Sequence, residues 1–183
     1  MKIIFLGIQG SGKSTQAKIA AEKLSLPYIE TSQLLREKSK GEDEDAKRIT
    51  EALDKGNLVP NEITIRTLKE RLEKPDCRQG YILDGYPRNE EQFQNLDSDI
   101  DKVFYVAVSD EETIKRLLKR GRHDDTGQAL KRRMELYHKE TEPMLDKFRE
   151  KGILKEVDGE RSIEEIAEDI ESQVADYVKK HAS

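Results

Sequence analysis

Short apolar runs alternate with amphipathic stretches along the chain. Residues 2–6 form a nearly continuous apolar run that ends at Gly7. A run of that length, followed at once by a helical pattern, predicts a strand buried on both faces of a parallel sheet. The same pattern predicts strands at 27–29, 80–85, 103–108 and 153–157. Between them, Ala17, Ile19, Ala20, Ala21 and Leu24 recur at helical spacing and predict a helix over 14–24. Further helices are expected at 62–72, with Asn61 as N-cap after Pro60, and at 110–119. A long helix over 125–150 should break near Pro143, which cannot continue the hydrogen-bond ladder. The last, over 162–180, opens on a Ser162/Glu165 capping box.

This alternation predicts an α/β fold with a five-stranded parallel sheet and helices on both faces, a three-layer α/β/α arrangement. Two stretches interrupt it. Residues 31–60 are polar and almost wholly helical, with Gly41 and Gly56 as stops, and predict a helical insertion at the sheet edge. The core domain is then 1–30 with 61–183. Residues 116–133 form a basic block carrying five arginines.

Composition narrows the function classes. At 183 residues the chain is one ordinary domain with room for a small insertion. Its net charge of −5 argues against a dedicated nucleic-acid binder. Cys77 is the single cysteine, so neither an internal disulfide nor a cysteine-rich zinc site is expected, which fits a reducing compartment. The N-terminal apolar run is too short for a signal peptide or a membrane span, so a soluble, cytoplasmic protein is expected.

One segment carries unmistakable chemistry. Gly7-Ile-Gln-Gly10-Ser11-Gly12-Lys13-Ser14 matches the phosphate-loop pattern G-x-x-x-x-G-K-S/T, with Thr15 after it, and it lies between a predicted strand and a predicted helix. The glycines let backbone N–H groups turn inward around a phosphate, and the helix N-terminus adds positive potential. Lys13 can reach the outer phosphates, and the Ser14 hydroxyl can ligate Mg²⁺. A dinucleotide fold would want a third glycine where Thr15 stands. No Asn-Lys-x-Asp base reader of a GTP switch occurs.

The arginines point to the second substrate. Arg36, Arg88, Arg116, Arg120, Arg122 and Arg133 lie beside predicted strand ends or in the basic block, and arginine suits bidentate grip of phosphate oxygens. A hydroxyl acceptor benefits from a carboxylate base. A phosphate acceptor does not, because its second pKa is about 6 and it is an anion at neutral pH. An arginine-rich site therefore favours a phosphate acceptor such as a nucleoside monophosphate.

The chain resembles the adenylate kinases and their nucleoside-monophosphate kinase relatives over essentially its full length. Three segments carry the resemblance. They are the phosphate loop; Gly80-Tyr-Ile-Leu-Asp84-Gly85-Tyr-Pro87-Arg88; and Arg120-Gly-Arg122-His-Asp124-Asp125, followed by Lys131-Arg132-Arg133 and Thr141-Glu-Pro143. The resemblance implies a P-loop NTPase fold and transfer from MgATP to AMP, giving two ADP. It implies that Gly10, Ser11, Gly12, Lys13, Ser14 and Thr15 hold the ATP phosphates, with Arg116 stacked on the donor adenine and Arg120 beside it. It implies that Arg36 and Arg88 grip the acceptor phosphate and that Arg122 and Arg133 bridge the group in flight. Asp84 would hold Mg²⁺ through water, and Asp124 and Asp125 would orient arginines. Thr31, Gly56, Val59, Gly85 and Gln92 fall where the family binds AMP, and a glutamine amide offers adenine a donor and an acceptor together. Residues 31–60 then correspond to the monophosphate-binding insertion.

The departures matter as much. Most of the family has Thr-Gly-Asp where this chain has Thr31-Ser32-Gln33, so one carboxylate is missing. Gln9 stands where proline is usual, and Ser14 where glycine is usual. Only Gly121 separates Arg120 from Arg122, leaving 119–123 as a vestigial lid with no room for zinc. So short a lid predicts a weaker hold on the donor base and a broader choice of donor. Asn89, just after Arg88, matches uridylate/cytidylate kinases, so a UMP/CMP or broad monophosphate kinase stays open. So does a nucleotide-binding assembly factor with slow ATPase activity. The expected partners are ATP, AMP and ADP, without nucleic acid or membrane, for a monomer or small homo-oligomer.

Overall fold

The computed structural model describes residues 1–120 and 127–181. The chain runs β1 (Lys2–Leu6), α1 (Lys13–Leu24), β2 (Tyr28–Glu30), α2 (Thr31–Lys38), α3 (Glu44–Asp54) and α4 (Asn61–Leu72). After a short 3₁₀ turn come β3 (Tyr81–Asp84), α5 (Glu90–Gln94), β4 (Lys102–Ala107) and α6 (Asp110–Arg120). It continues through α7 (Gly127–Leu136), a π turn (Tyr137–Thr141), α8 (Met144–Glu150), β5 (Leu154–Asp158) and α9 (Ile163–His181). The strands form one sheet in the order β2-β3-β1-β4-β5, every pair parallel. This is the three-layer α/β/α architecture of P-loop NTPases. Among the described residues, no helix is long and apolar enough to cross a membrane.

The central strands are buried on both faces, which is why β1 and β3 read as continuous apolar runs. On one face Ile3, Phe5, Ile82 and Phe104 pack with Ala17, Ala20 and Ala21 of α1 and with Ile166, Ile170 and Val174 of α9. On the other, Ile4, Leu6, Leu83 and Val103 pack with Leu68 of α4 and with Leu145 and Phe148 of α8. Leu35, Ile49, Ala52, Val59 and Ile63 form a smaller cluster among α2, α3 and α4.

One local expectation is corrected. Asn61 is not an N-cap: Pro60 holds that position and Asn61 opens α4, its side chain engaged elsewhere. The long helix does break near Pro143, which caps α8, and the break begins already at Tyr137. The Glu142 N–H donates to the Tyr137 carbonyl at 2.9 Å, one residue further back than in an α-helix. This π turn makes room for the ring of Pro143, which would otherwise clash with the carbonyl four residues earlier. The expected capping box is present: Ser162 N donates to Glu165 Oε2 at 3.0 Å, and Glu165 N to Ser162 Oγ at 3.2 Å. Helix α5 was not expected, although Asn89 signals it by accepting from the Gln92 N–H at 3.0 Å as its N-cap.

Candidate active site

The site is built at the carboxyl ends of β1, β2 and β3, where open parallel sheets bind their ligands. Parallel register sets Phe5 and Glu30 level with Asp84, so three strands end together. A cleft opens there, lined by the phosphate loop, α2, the 56–58 turn, the segment after β3 and α7.

Residues 7–12 curl from β1 into α1. Gly12 caps the helix in the left-handed region, φ 91°, where a side chain would be strained. Lys13 and Ser14 face the cleft. The Lys13 ammonium lies 3.5 Å from the Ile8 carbonyl. Gly10 and Ser11 form the loop's outer wall, and Arg116 of α6 is pinned against it. The Arg116 Nε donates to Glu112 at 2.8 Å, and its Nη1 donates to the carbonyls of Gly159 at 3.0 Å and Ser11 at 3.3 Å. Thr15 lies in the first turn of α1, exposed and outside the cleft lining.

Asp84, 1% exposed, ends β3. The Tyr28 hydroxyl lies 2.8 Å from Asp84 Oδ2 and 3.0 Å from Glu30 Oε2, one proton between two carboxylates. Burial, and then those two charges, push the Tyr28 phenol well above its ordinary pKa. Ser32 Oγ donates to Glu30 Oε1 at 2.7 Å. Asp84 Oδ1 is buried with no hydrogen-bond partner among the described residues. An orphaned carboxylate oxygen, with the Ser14 hydroxyl in the same cleft, is the hard-oxygen donor set that Mg²⁺ takes.

Arg36, Arg88 and Arg133 line the opposite wall. Arg88 Nε donates to the Gly85 carbonyl at 2.9 Å, and Thr141 Oγ1 fixes the Arg88 carbonyl at 2.8 Å. Gly85 takes φ 76°, and a Cβ there would stand 3.3 Å from Arg88 Nη2 and 3.8 Å from Lys13 Cε. The missing side chain lets the cations from both walls approach. Arg133 Nη2 donates to the Leu53 carbonyl at 3.1 Å, joining α7 to α3. At Gly56, φ 70°, a Cβ would lie 2.5 Å from the Ala129 carbonyl oxygen, so glycine is what lets the turn seat on α7.

Next to Arg88 a second, smaller cavity is lined by Thr31, Leu35, Val59, Thr64 and Gln92. The buried Thr31 hydroxyl has no hydrogen-bond partner among the described residues. Gln92 Oε1 accepts from the Arg88 backbone N–H at 2.8 Å, and its Nε2 donates to Asn61 Oδ1 at 2.9 Å. Each contact uses one of two available positions, leaving one acceptor and one donor on the amide.

The cleft thus gathers Lys13, Ser14, Arg36, Gly56, Asp84, Gly85, Arg88 and Arg133, with Thr31, Val59 and Gln92 beside it. Arg122, Asp124 and Asp125 lie outside the described residues, as do most of 119–123 and the side chain of Arg120. Gln33, where a carboxylate was missed, is exposed on α2 and does not line the cleft. Sequence reasoning overlooked Glu30, Tyr28 and Asn61. Tyr28 and Glu30 stand two apart on a strand and so share a face, a signal that needed only the neighbouring strand to be identified.

A phosphate loop and three arginines in one cleft, with a smaller cavity adjoining it, define the class of P-loop phosphotransferases. The family model "Adenylate kinase" matches residues 5–153. An adenylate kinase of Archaeoglobus fulgidus is 37% identical, covering 94% of this chain and 97% of its own. One of Bifidobacterium longum is 39% identical, covering 91% and 96%, and one of Caldicellulosiruptor bescii 34%, covering 93% and 97%. The chain belongs to the adenylate kinase family. It is a nucleotide phosphotransferase.

Proposed function

We propose that the cleft binds MgATP along the phosphate loop and AMP across the arginine wall, and transfers the γ-phosphoryl group between them. The observation that carries this reading is the meeting of Lys13, Arg36, Arg88 and Arg133 in one cleft, adjoining a cavity lined by Thr31, Val59 and Gln92. An oxygen of the AMP phosphate bonds to the γ-phosphorus, the γ-phosphorus bond to the β-bridging oxygen breaks, and two ADP result. The acceptor is already anionic, so no side chain has to remove a proton. The residues position and neutralise: Lys13 and the loop amides on the donor, Arg36 and Arg88 on the acceptor, Arg133 between, and Arg120 and Arg122 with it. Mg²⁺, when bound, would supply charge neutralisation on the donor phosphates, and Ser14, with Asp84 acting through water, would hold it. Arg116, with its plane fixed behind the loop, offers a stacking surface to the donor base. Thr15 adds its backbone at the loop's end.

Residues 31–60 act as the acceptor-binding insertion on a core of 1–30 and 61–183, and 119–123 as the lid remnant. AMP is favoured over UMP or CMP because the Asn89 side chain is spent on capping α5 and on Asn61. A mildly acidic chain with one cysteine, of charge −5, suits a cytoplasmic protein acting on small nucleotides alone. The test is a chromatographic product assay with MgATP and AMP, UMP, CMP, GMP or dAMP offered singly, beside a control without acceptor. Rapid ADP formation with AMP is the expected result. UDP or CDP instead overturns the base assignment, and slow acceptor-independent ADP release overturns the transferase reading.

A further inference from the structure

The Gln92 amide is held in one polarity by a chain of hydrogen bonds whose two ends cannot reverse. At one end its Oε1 accepts from a backbone N–H, that of Arg88, which can only donate. At the other its Nε2 donates to Asn61 Oδ1. Asn61 cannot turn over either, because its Nδ2 donates to a Glu91 carboxylate oxygen at 2.6 Å, and an ionised carboxylate only accepts. Asn89 adds a second restraint: its Nδ2 donates to the same Asn61 Oδ1 at 2.9 Å while its Oδ1 takes the Gln92 N–H at 3.0 Å. Gln92 itself is 2% exposed and lines the base cavity.

An amide so oriented presents an acceptor on its Oε1 side and a donor on its Nε2 side. A 6-aminopurine offers the complement, an N–H donor at the exocyclic nitrogen and an acceptor at N1. A 6-oxopurine offers the reverse and would need the amide turned over. In this chain the turn places Nε2 against the Arg88 N–H and Oε1 against Asn61 Oδ1, losing two hydrogen bonds and opposing like groups.

We propose that Asn61, by fixing the polarity of the Gln92 amide, sets the discrimination of this enzyme between 6-amino and 6-oxo purine monophosphates. Asn61 is a positioning residue: it touches the reader, not the base. The inference rests on the reading that the Gln92 cavity takes the acceptor base.

The experiment measures kcat and KM for AMP and for IMP at saturating MgATP. In Asn61→Ala only the Arg88 N–H still orients the amide, so the AMP/IMP ratio of kcat/KM is expected to fall about tenfold, the loss of one buried hydrogen bond's preference. The change should sit in the two acceptor KM values, with kcat for AMP and KM for ATP little moved. Asn61→Asp combined with Glu91→Gln keeps the accepting oxygen and gives the new carboxylate an amide donor in place of Glu91, and should keep the ratio. Glu91→Leu, on an exposed position, removes one restraint on the Asn61 amide and leaves that of Asn89, so it should lower the ratio by less than Asn61→Ala without threatening the fold, and it serves if Asn61→Ala does not fold. Gln92→Leu separates the two levels. If it lowers the ratio while Asn61→Ala and Glu91→Leu do not, the Asn61 inference is overturned alone. If Gln92→Leu itself leaves the ratio unchanged, the base reading is overturned with it.

Discussion

Arg88 sits among opposing charges whose balance explains what it is for. Burial pushes its guanidinium down from its ordinary pKa. Asp84 pulls the other way, and Arg133 and Arg36 push down again. Three guanidiniums gathered in one cleft repel one another, and a phosphate between them would relieve that repulsion. Replacing Arg88 with alanine is expected to lower kcat by on the order of 10³-fold, since the charge it meets peaks during transfer. Arg88→Lys should recover little, because an ammonium cannot reproduce a planar fork tied at Nε to the Gly85 carbonyl. Steady-state kinetics with both variants, checked for an unchanged melting temperature, measure this, and near-normal turnover in Arg88→Ala removes the assignment. Arg88 was legible in the sequence because a glycine-flanked strand end carried it. Glu30 was not, because a single carboxylate before a helix reads as solvated surface until the register of β2 against β3 sets it level with Asp84.

The joint between α6 and the π turn is electrostatic. His138 Nδ1 lies 2.8 Å from Glu142 and Nε2 3.1 Å from Asp110 at the start of α6. The hydrogen bond to Glu142, and then Asp110, hold the imidazole above its ordinary pKa of 6.5. A folded-state pKa above the unfolded one means that proton binding favours the fold. The stabilisation is fully present below about pH 6.5 and is lost as pH rises through the raised value. The pair is nearly half exposed, so the effect is small. Melting temperatures at pH 6 and pH 8.5 should show wild type more stable than His138→Gln at the lower pH and the two converging at the higher. A constant difference would mean that packing, not charge, makes this joint. Elements of this kind mark where sequence reading stops. The central strands β1 and β3 were legible within a residue or two because burial on both faces leaves an uninterrupted apolar signature, whereas β2 and β5, partly exposed at the sheet edges, were legible from their place between helices. The π turn was not, because its cause is the steric demand of Pro143 acting backwards on a helix whose periodicity continues through it.

At the scale of the whole molecule the two nucleotides are treated unequally. On the proposed reading the acceptor base meets a cavity with a buried amide of fixed polarity, and such sites reject the wrong partner by leaving their own polar groups unpaired. The donor side, on the same reading, offers Arg116, whose Nε and Nη1 are already committed to Glu112, Gly159 and Ser11. A guanidinium plane used in this way packs against any base and reads none. The relative from Archaeoglobus fulgidus aligns over 210 positions, whereas this chain has only 183 residues, so that relative carries segments this chain lacks. One glycine between Arg120 and Arg122 leaves little chain with which to enclose a donor base. With stacking alone to choose by, kcat/KM for ATP, GTP and CTP should fall within about tenfold of one another, while the acceptors are discriminated far more sharply. Initial rates with each donor, at fixed saturating AMP and free Mg²⁺, measure it. An ATP preference above about 100-fold would require a base-edge contact that stacking on Arg116 cannot supply.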